Sequence, residues 1–152
     1  MLPTRRTSPK NAAVAVFKID PRGLMIFMVR DRKYRKWMIP GGRVDSGDRG
    51  FFDAARREFR EETGVSLPRL YRMDGFLGGL PSFLYNWHTW IYWGQVKGDF
   101  SFNRKSRRNR EVDRREWFYL DDLLKGDAKY EGKKIVVKGY VWKSLKDLKT
   151  LL

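Results

Sequence analysis

Glu58, Glu61 and Glu62 stand at i, i+3 and i+4 in residues 51–63 (FFDAARREFREET), a stretch whose periodicity predicts a helix. At 3.6 residues per turn, the three side chains share one face within reach of a single point. Carboxylates held that close repel one another, so the arrangement calls for something positive among them. Two partners suit these residue types. Arg56, Arg57 and Arg60 on the same helix would form solvated intrahelical ion pairs, whereas a divalent cation would make the face a metal site. The chain has no cysteine and one histidine, His88, so a metal would be held chiefly by oxygen. Oxygen donors favour hard ions such as Mg2+ or Mn2+.

What precedes the helix separates the two readings. Residues 37–39 (WMI) run into Pro40-Gly41-Gly42, a backbone breaker expected to open a loop. Such a glycine-rich loop lets backbone approach a phosphate or donate a carbonyl to a metal. Gly42, five further residues, Asp48, and then Arg57-Glu58-Phe59-Arg60-Glu61-Glu62-Thr63-Gly64-Val65 together resemble the Nudix box. The second half matches that signature position by position. Two departures lie in the first half: the leading acid is Asp48 instead of Glu, and eight residues rather than seven separate it from Arg57. Gly50 would absorb the extra residue in a turn. Asp45 and Asp53 are alternatives for the auxiliary acid.

The resemblance extends over residues 12–124 and implies an α/β (α+β) fold, a mixed β-sheet core sandwiched between helices. It also implies a metal site drawn from Gly42, Asp48, Glu58, Glu61, Glu62 and Glu111, with Glu61, Glu62, Arg57 and Glu111 carrying catalysis. Arg57 would orient the glutamates rather than touch substrate. Glu111 lies six residues before Trp117 in REVDRREWFYLDDLL, a stretch similar to the downstream acid of the family; Asp113 and Glu116 compete for that role.

Other elements must position these groups. Residues 12–19 (AAVAVFKI) and 24–29 (LMIFMV) are apolar runs of strand length separated by the turn signal Asp20-Pro21-Arg22-Gly23, so they predict a buried hairpin. Gly64-Val65 predicts a helix stop. Residues 85–96 predict a long aromatic strand, 117–120 another strand, 141–152 a closing amphipathic helix, and the charge-rich 104–115 a loop between strands. A length of 152 residues suits one domain, expected over 11–152 behind a basic tail at 1–10.

Lys and Arg number 33 against 18 Asp and Glu, a net charge of +15 that should attract polyanions. No run reaches the length of a membrane span, and the first ten residues lack the apolar middle of a secretory signal, so a cytoplasmic protein is expected. The resemblance then implies a Mg2+-dependent pyrophosphohydrolase acting on a nucleoside diphosphate linked to another moiety. The basic residues Arg104, Lys105, Arg107, Arg108 and Arg110 would gather the polyphosphate or an RNA 5′ end. The alternative is a catalytically weak nucleic-acid-binding module on the same scaffold. Tyr34, Phe83, Tyr85 and Trp87 are candidates for stacking on a base, whereas His88, alone in an aromatic strand, reads as a packing residue.

Overall fold

The computed structural model describes residues 10–78, 89–97, 100–105 and 109–152. The tail through residue 9, the stacking candidates Phe83, Tyr85 and Trp87, His88, and Arg107 and Arg108 lie outside the described residues.

The buried hairpin is present. Strands β1 (Asn11–Asp20) and β2 (Gly23–Asp31) pair antiparallel, with Asp20 opposite Gly23 across a two-residue turn. The Asp20 carboxylate accepts the Arg22 and Gly23 backbone N–H groups at 2.8 and 3.1 Å, which fixes that turn. Around the hairpin the chain builds β3 (Trp37–Met38), β4 (Gly41–Arg43), α1 (Phe51–Thr63), β5 (Leu70–Gly78), β6 (Thr89–Val96) and β7 (Val112–Tyr119). Helix α2 (Leu120–Lys125), the short hairpin β8 (Lys129–Tyr130) and β9 (Lys133–Lys134), and helix α3 (Gly139–Leu151) follow. Among the described residues, seven strands form one mixed sheet ordered β3-β2-β1-β6-β5, with β4 added to β1 and β7 to β2. The β1–β6 pairing is parallel and the other pairings are antiparallel.

Every residue from Ala12 to Phe17 is buried, so β1 is covered on both faces. Adjacent side chains on β2 show what covers them. Phe27 meets Phe59 of α1 at 5.8 Å between ring centroids; Ile26, on the opposite face, pairs with Phe118, whose ring meets Trp37 at 4.8 Å. Helices α2 and α3 bury Leu120, Leu123, Val141, Leu145 and Leu148. Within the described residues no helix is long and apolar enough to cross a membrane.

Three expectations need correction. Gly41 and Gly42 pair with Ala13 and Ala12 of β1 as a short strand instead of opening a loop. A Cβ on Gly41 would lie 2.5 Å from that of Ala13, so glycine is what lets the two backbones approach. The stretch 104–115 is not all loop, because β7 begins at Val112; its inward positions hold charges satisfied by distant partners, which hides the strand pattern. Strand β7 ends at Tyr119, and Leu120 opens α2. Strand β5 and the β8–β9 hairpin carried no expectation.

Candidate metal centre

Helix α1 presents its glutamates in two directions. Ala54, Ala55, Glu58, Phe59 and Glu62 form its buried face, whereas Glu61 turns outward with its side chain 55% exposed. The helix stops where expected: Gly64 adopts the left-handed conformation at φ 77° and donates its N–H to the Arg60 carbonyl. Glu111 approaches from the turn before β7. One carboxylate oxygen from each of Glu58, Glu62 and Glu111 lies within 4.8 Å of the other two.

The Glu62 carboxylate is hydrogen-bonded at one oxygen only. Its Oε1 accepts the Gly41 N–H at 2.8 Å, but its Oε2 is buried with no hydrogen-bond partner. Burial, reinforced by the charge on Glu58, pushes the Glu62 carboxyl pKa well above its usual range. Burial also raises Glu58, against the pull of Arg57. A hard-oxygen donor set with an orphaned carboxylate oxygen at its centre fits Mg2+ or Mn2+. Gly42 borders the same spot. A Cβ there would lie 2.5 Å from the carboxyl carbon of Glu58, so only glycine leaves that carboxylate its position.

Arg57 is the hub of a second layer. Its Nε and Nη2 donate to the two oxygens of Asp48 at 3.0 Å each, and Nη2 also donates to the Arg43 carbonyl at 2.9 Å. Its Nη1 donates to Glu58 at 3.1 Å and to Glu61 at 3.3 Å, and Asp45 lies 3.3 Å from Nη2. Arg57 pulls the Asp48 carboxyl below its usual pKa. Asp48 thus stands behind Arg57, outside the three-carboxylate group, and Glu61 lines the rim. Asp53 instead accepts the Arg49 N–H at the amino end of α1.

The three candidates for the downstream acid separate cleanly. Asp113 takes a two-point ion pair from Arg30 at 2.9 and 2.8 Å, and Glu116 accepts from Arg104 at 3.0 Å. Of the three, Glu111 joins Glu58 and Glu62. These carboxylates open onto a cleft of about 850 Å³ whose lining includes Lys105, Arg110 and Asn103. Tyr34 is exposed at the β2–β3 turn with Lys33 over its ring, and it does not line that cleft.

Two supporting residues escaped sequence reasoning. Arg115, buried in β7, donates to the Glu62 carbonyl at 2.6 Å and to the Asn103 carbonyl at 2.8 Å. Asn109 donates to the Glu61 carbonyl at 2.5 Å. Both hold the carboxyl end of α1 from about fifty residues away, a separation at which local spacing carries no signal.

Comparison with known proteins bears on the family and the fold. The family model described as NUDIX domain matches residues 9–138. An Ap4A hydrolase from C. elegans, solved as a binary complex, superposes with a TM-score of 0.66 at 16% identity, over 93% of this chain and 97% of its own. The NUDIX domain of NrtR from Shewanella oneidensis, solved with ADP ribose, gives a TM-score of 0.66 at 15% identity, covering 100% of this chain and 94% of its own. A NUDIX hydrolase from Nitrosomonas europaea gives 0.58 at 20% identity, over 94% and 90%. No curated protein sequence matches this chain.

Proposed function

The chain belongs to the Nudix family of hydrolases acting on phosphorus-containing acid anhydrides, and from that premise we propose that it is a Mg2+-dependent pyrophosphohydrolase cleaving a nucleoside diphosphate linked to another moiety. The observation that carries this reading is the convergence of Glu58, Glu62 and Glu111 beside a cleft that also holds Lys105 and Arg110. A Mg2+ or Mn2+ held by those three, with Glu61 at the rim, would neutralise phosphate oxygens and lower the pKa of the attacking water.

The chain's own groups supply the rest. Gly41 and Arg57 fix Glu62 and Glu58 through the hydrogen bonds described above, so the ligand oxygens are set before substrate arrives. Lys105 and Arg110 offer positive charge to the phosphates. Glu111, the exposed member of the triad, is the group positioned to take the proton of water at its carboxylate. The basic residues from Arg104 to Arg110 would steer a polyanion, including an RNA 5′ end, toward the cleft. A cleft of about 850 Å³ also has room for a nucleoside beyond the phosphates.

The test is hydrolysis with Mg2+ across a panel of nucleoside triphosphates, dinucleoside polyphosphates, nucleotide sugars and 5′-triphosphorylated RNA, reading released phosphate, pyrophosphate and nucleotide. At least one substrate should turn over, and turnover should disappear with EDTA or with Glu62→Gln. No product from any substrate with Mg2+ or Mn2+, or full activity in Glu62→Gln, refutes the reading.

A further inference from the structure

We propose that Asn109 is the positioning residue that holds the Glu111 carboxylate against Glu58 and Glu62, by tying the turn before β7 to the carboxyl end of α1. The inference rests on the metal-centre reading above and concerns how its third carboxylate is brought to the site.

Glu111 faces a difficulty that Glu58 and Glu62 do not share. Those two ride on one helix, one turn apart, so the helix fixes their spacing. Glu111 belongs to a turn more than forty residues later in the chain, and its side chain is exposed. An exposed carboxylate on an untethered turn would lose conformational entropy on joining two like charges and would also meet their repulsion. Something must hold the turn in place.

Asn109 does so with both ends of its side chain. The amide Oδ1 accepts the backbone N–H of Glu111 at 2.7 Å and of Val112 at 2.8 Å, closing a turn that sets the direction of the Glu111 backbone. The amide Nδ2 donates to the Glu61 carbonyl at 2.5 Å, in the last turn of α1 between the glutamates. Its own backbone carbonyl accepts from Arg32 Nε at 3.2 Å and Nη2 at 3.0 Å, while Arg32 N donates to the Glu111 carbonyl at 2.7 Å. One residue thus joins the glutamate helix, the end of β2 and the start of β7. Only an amide fits both duties: an acid lacks the donor for Glu61, and a hydroxyl is too short to span from the turn to the helix.

The test measures Mn2+ binding by electron paramagnetic resonance, without substrate, on wild type, Asn109→Ala, Asn109→Ser and Glu62→Gln. Serine keeps a hydroxyl that can accept the Glu111 and Val112 N–H groups, so it preserves the turn while cutting the tether to α1. Both Asn109 variants should bind Mn2+ about tenfold more weakly than wild type, in the range that outer-layer partners of metal sites contribute. They should also lose kcat with KM changed less than about twofold, and excess Mn2+ should recover part of that loss. Wild-type Mn2+ affinity in a folded Asn109→Ser overturns the proposal, even if Asn109→Ala does not fold. The Glu62→Gln control separates the two levels of inference. If wild type binds no Mn2+, or Glu62→Gln binds it fully, the metal-centre reading fails; if only the Asn109 variants behave as wild type, this inference alone fails.

Discussion

Removing the charge of Glu62 should cost the protein its metal and make the metal-free chain more stable. Glu62 and Glu58 are both buried, with ligand oxygens no more than 4.8 Å apart. Two full charges at that separation repel by about 3.5 kcal/mol at an effective dielectric of about 20. Glu62→Gln removes this repulsion and keeps an oxygen to accept the Gly41 N–H, while its new amide N–H groups enter a pocket where Oε2 already lacks a partner. An unpaired buried donor costs about 1–3 kcal/mol, which leaves a net gain of about 0.5–2.5 kcal/mol. For a chain of this size that is a rise in Tm of about 1–10 °C. The pH dependence has a definite sign. Because burial raises the folded-state pKa of Glu62, the unfolded chain gives up this proton first as pH rises, and wild-type stability falls from the ordinary glutamate range up through the raised value. The advantage of Glu62→Gln should therefore be small near pH 4 and full above the raised pKa. Thermal unfolding in EDTA at several pH values measures it, and a Mg2+ or Mn2+ titration should then raise the wild-type Tm but not the variant's. An unchanged or lower Tm for the variant throughout, or equal stabilisation of both by metal, would refute the argument that uncompensated charge is stored at this site.

Three further outcomes test the surrounding structure. Gly42→Ala drives a methyl group into the Glu58 carboxylate; Mn2+ affinity measured by calorimetry should fall at least about tenfold, with activity falling in step. Asp48→Asn removes the charge that Arg57 grips at two points. Its kcat/KM should drop about tenfold, well short of Glu62→Gln, and equal losses would put Asp48 on the metal itself. Lys105→Gln with Arg110→Gln, both at the cleft, should raise KM for a polyphosphate substrate about fivefold or more, keep kcat within about twofold and flatten the salt response of KM.

The parts of the fold that were legible in the sequence are those whose pattern is local and apolar. The β1–β2 hairpin shows as two hydrophobic runs around Asp20-Pro21-Arg22-Gly23, and α1 shows as a periodic segment closed by Gly64. Strand β7 failed that kind of reading because its buried positions are not apolar. Asp113 is neutralised by Arg30 from β2, and the Arg115 guanidinium donates hydrogen bonds to carbonyls of α1 and residue 103, partners 83, 53 and 12 residues away. A charge-rich stretch resembles a solvated loop until its partners are known. The β4 glycines misled in the opposite direction. Gly41-Gly42 signals flexible backbone, yet these residues are glycines because Ala13 and the Glu58 carboxylate leave no room for a Cβ.

The candidate metal centre divides along the same line. Helical spacing is enough to gather Glu58, Glu61 and Glu62, but it does not say which of them faces inward; burial against the sheet turns Glu58 and Glu62 in and leaves Glu61 at the rim. The lengthened loop before the helix then acquires a physical account. Asp48 has a side chain one methylene shorter than glutamate, on a loop one residue longer than the family pattern. Both of its oxygens accept from Arg57 and one also from the Asp45 N–H, so the acid closes its own loop while it anchors the arginine. Arg57 in turn reaches Glu58 and Glu61. A carboxylate in that position would act on the proposed metal ligands through the direction it gives Arg57, and that duty depends on reaching one guanidinium instead of a fixed point between three oxygens. The duty tolerates an inserted residue and a shorter side chain, as long as the turn from Asp45 to Asp48 brings the carboxylate back to the same arginine.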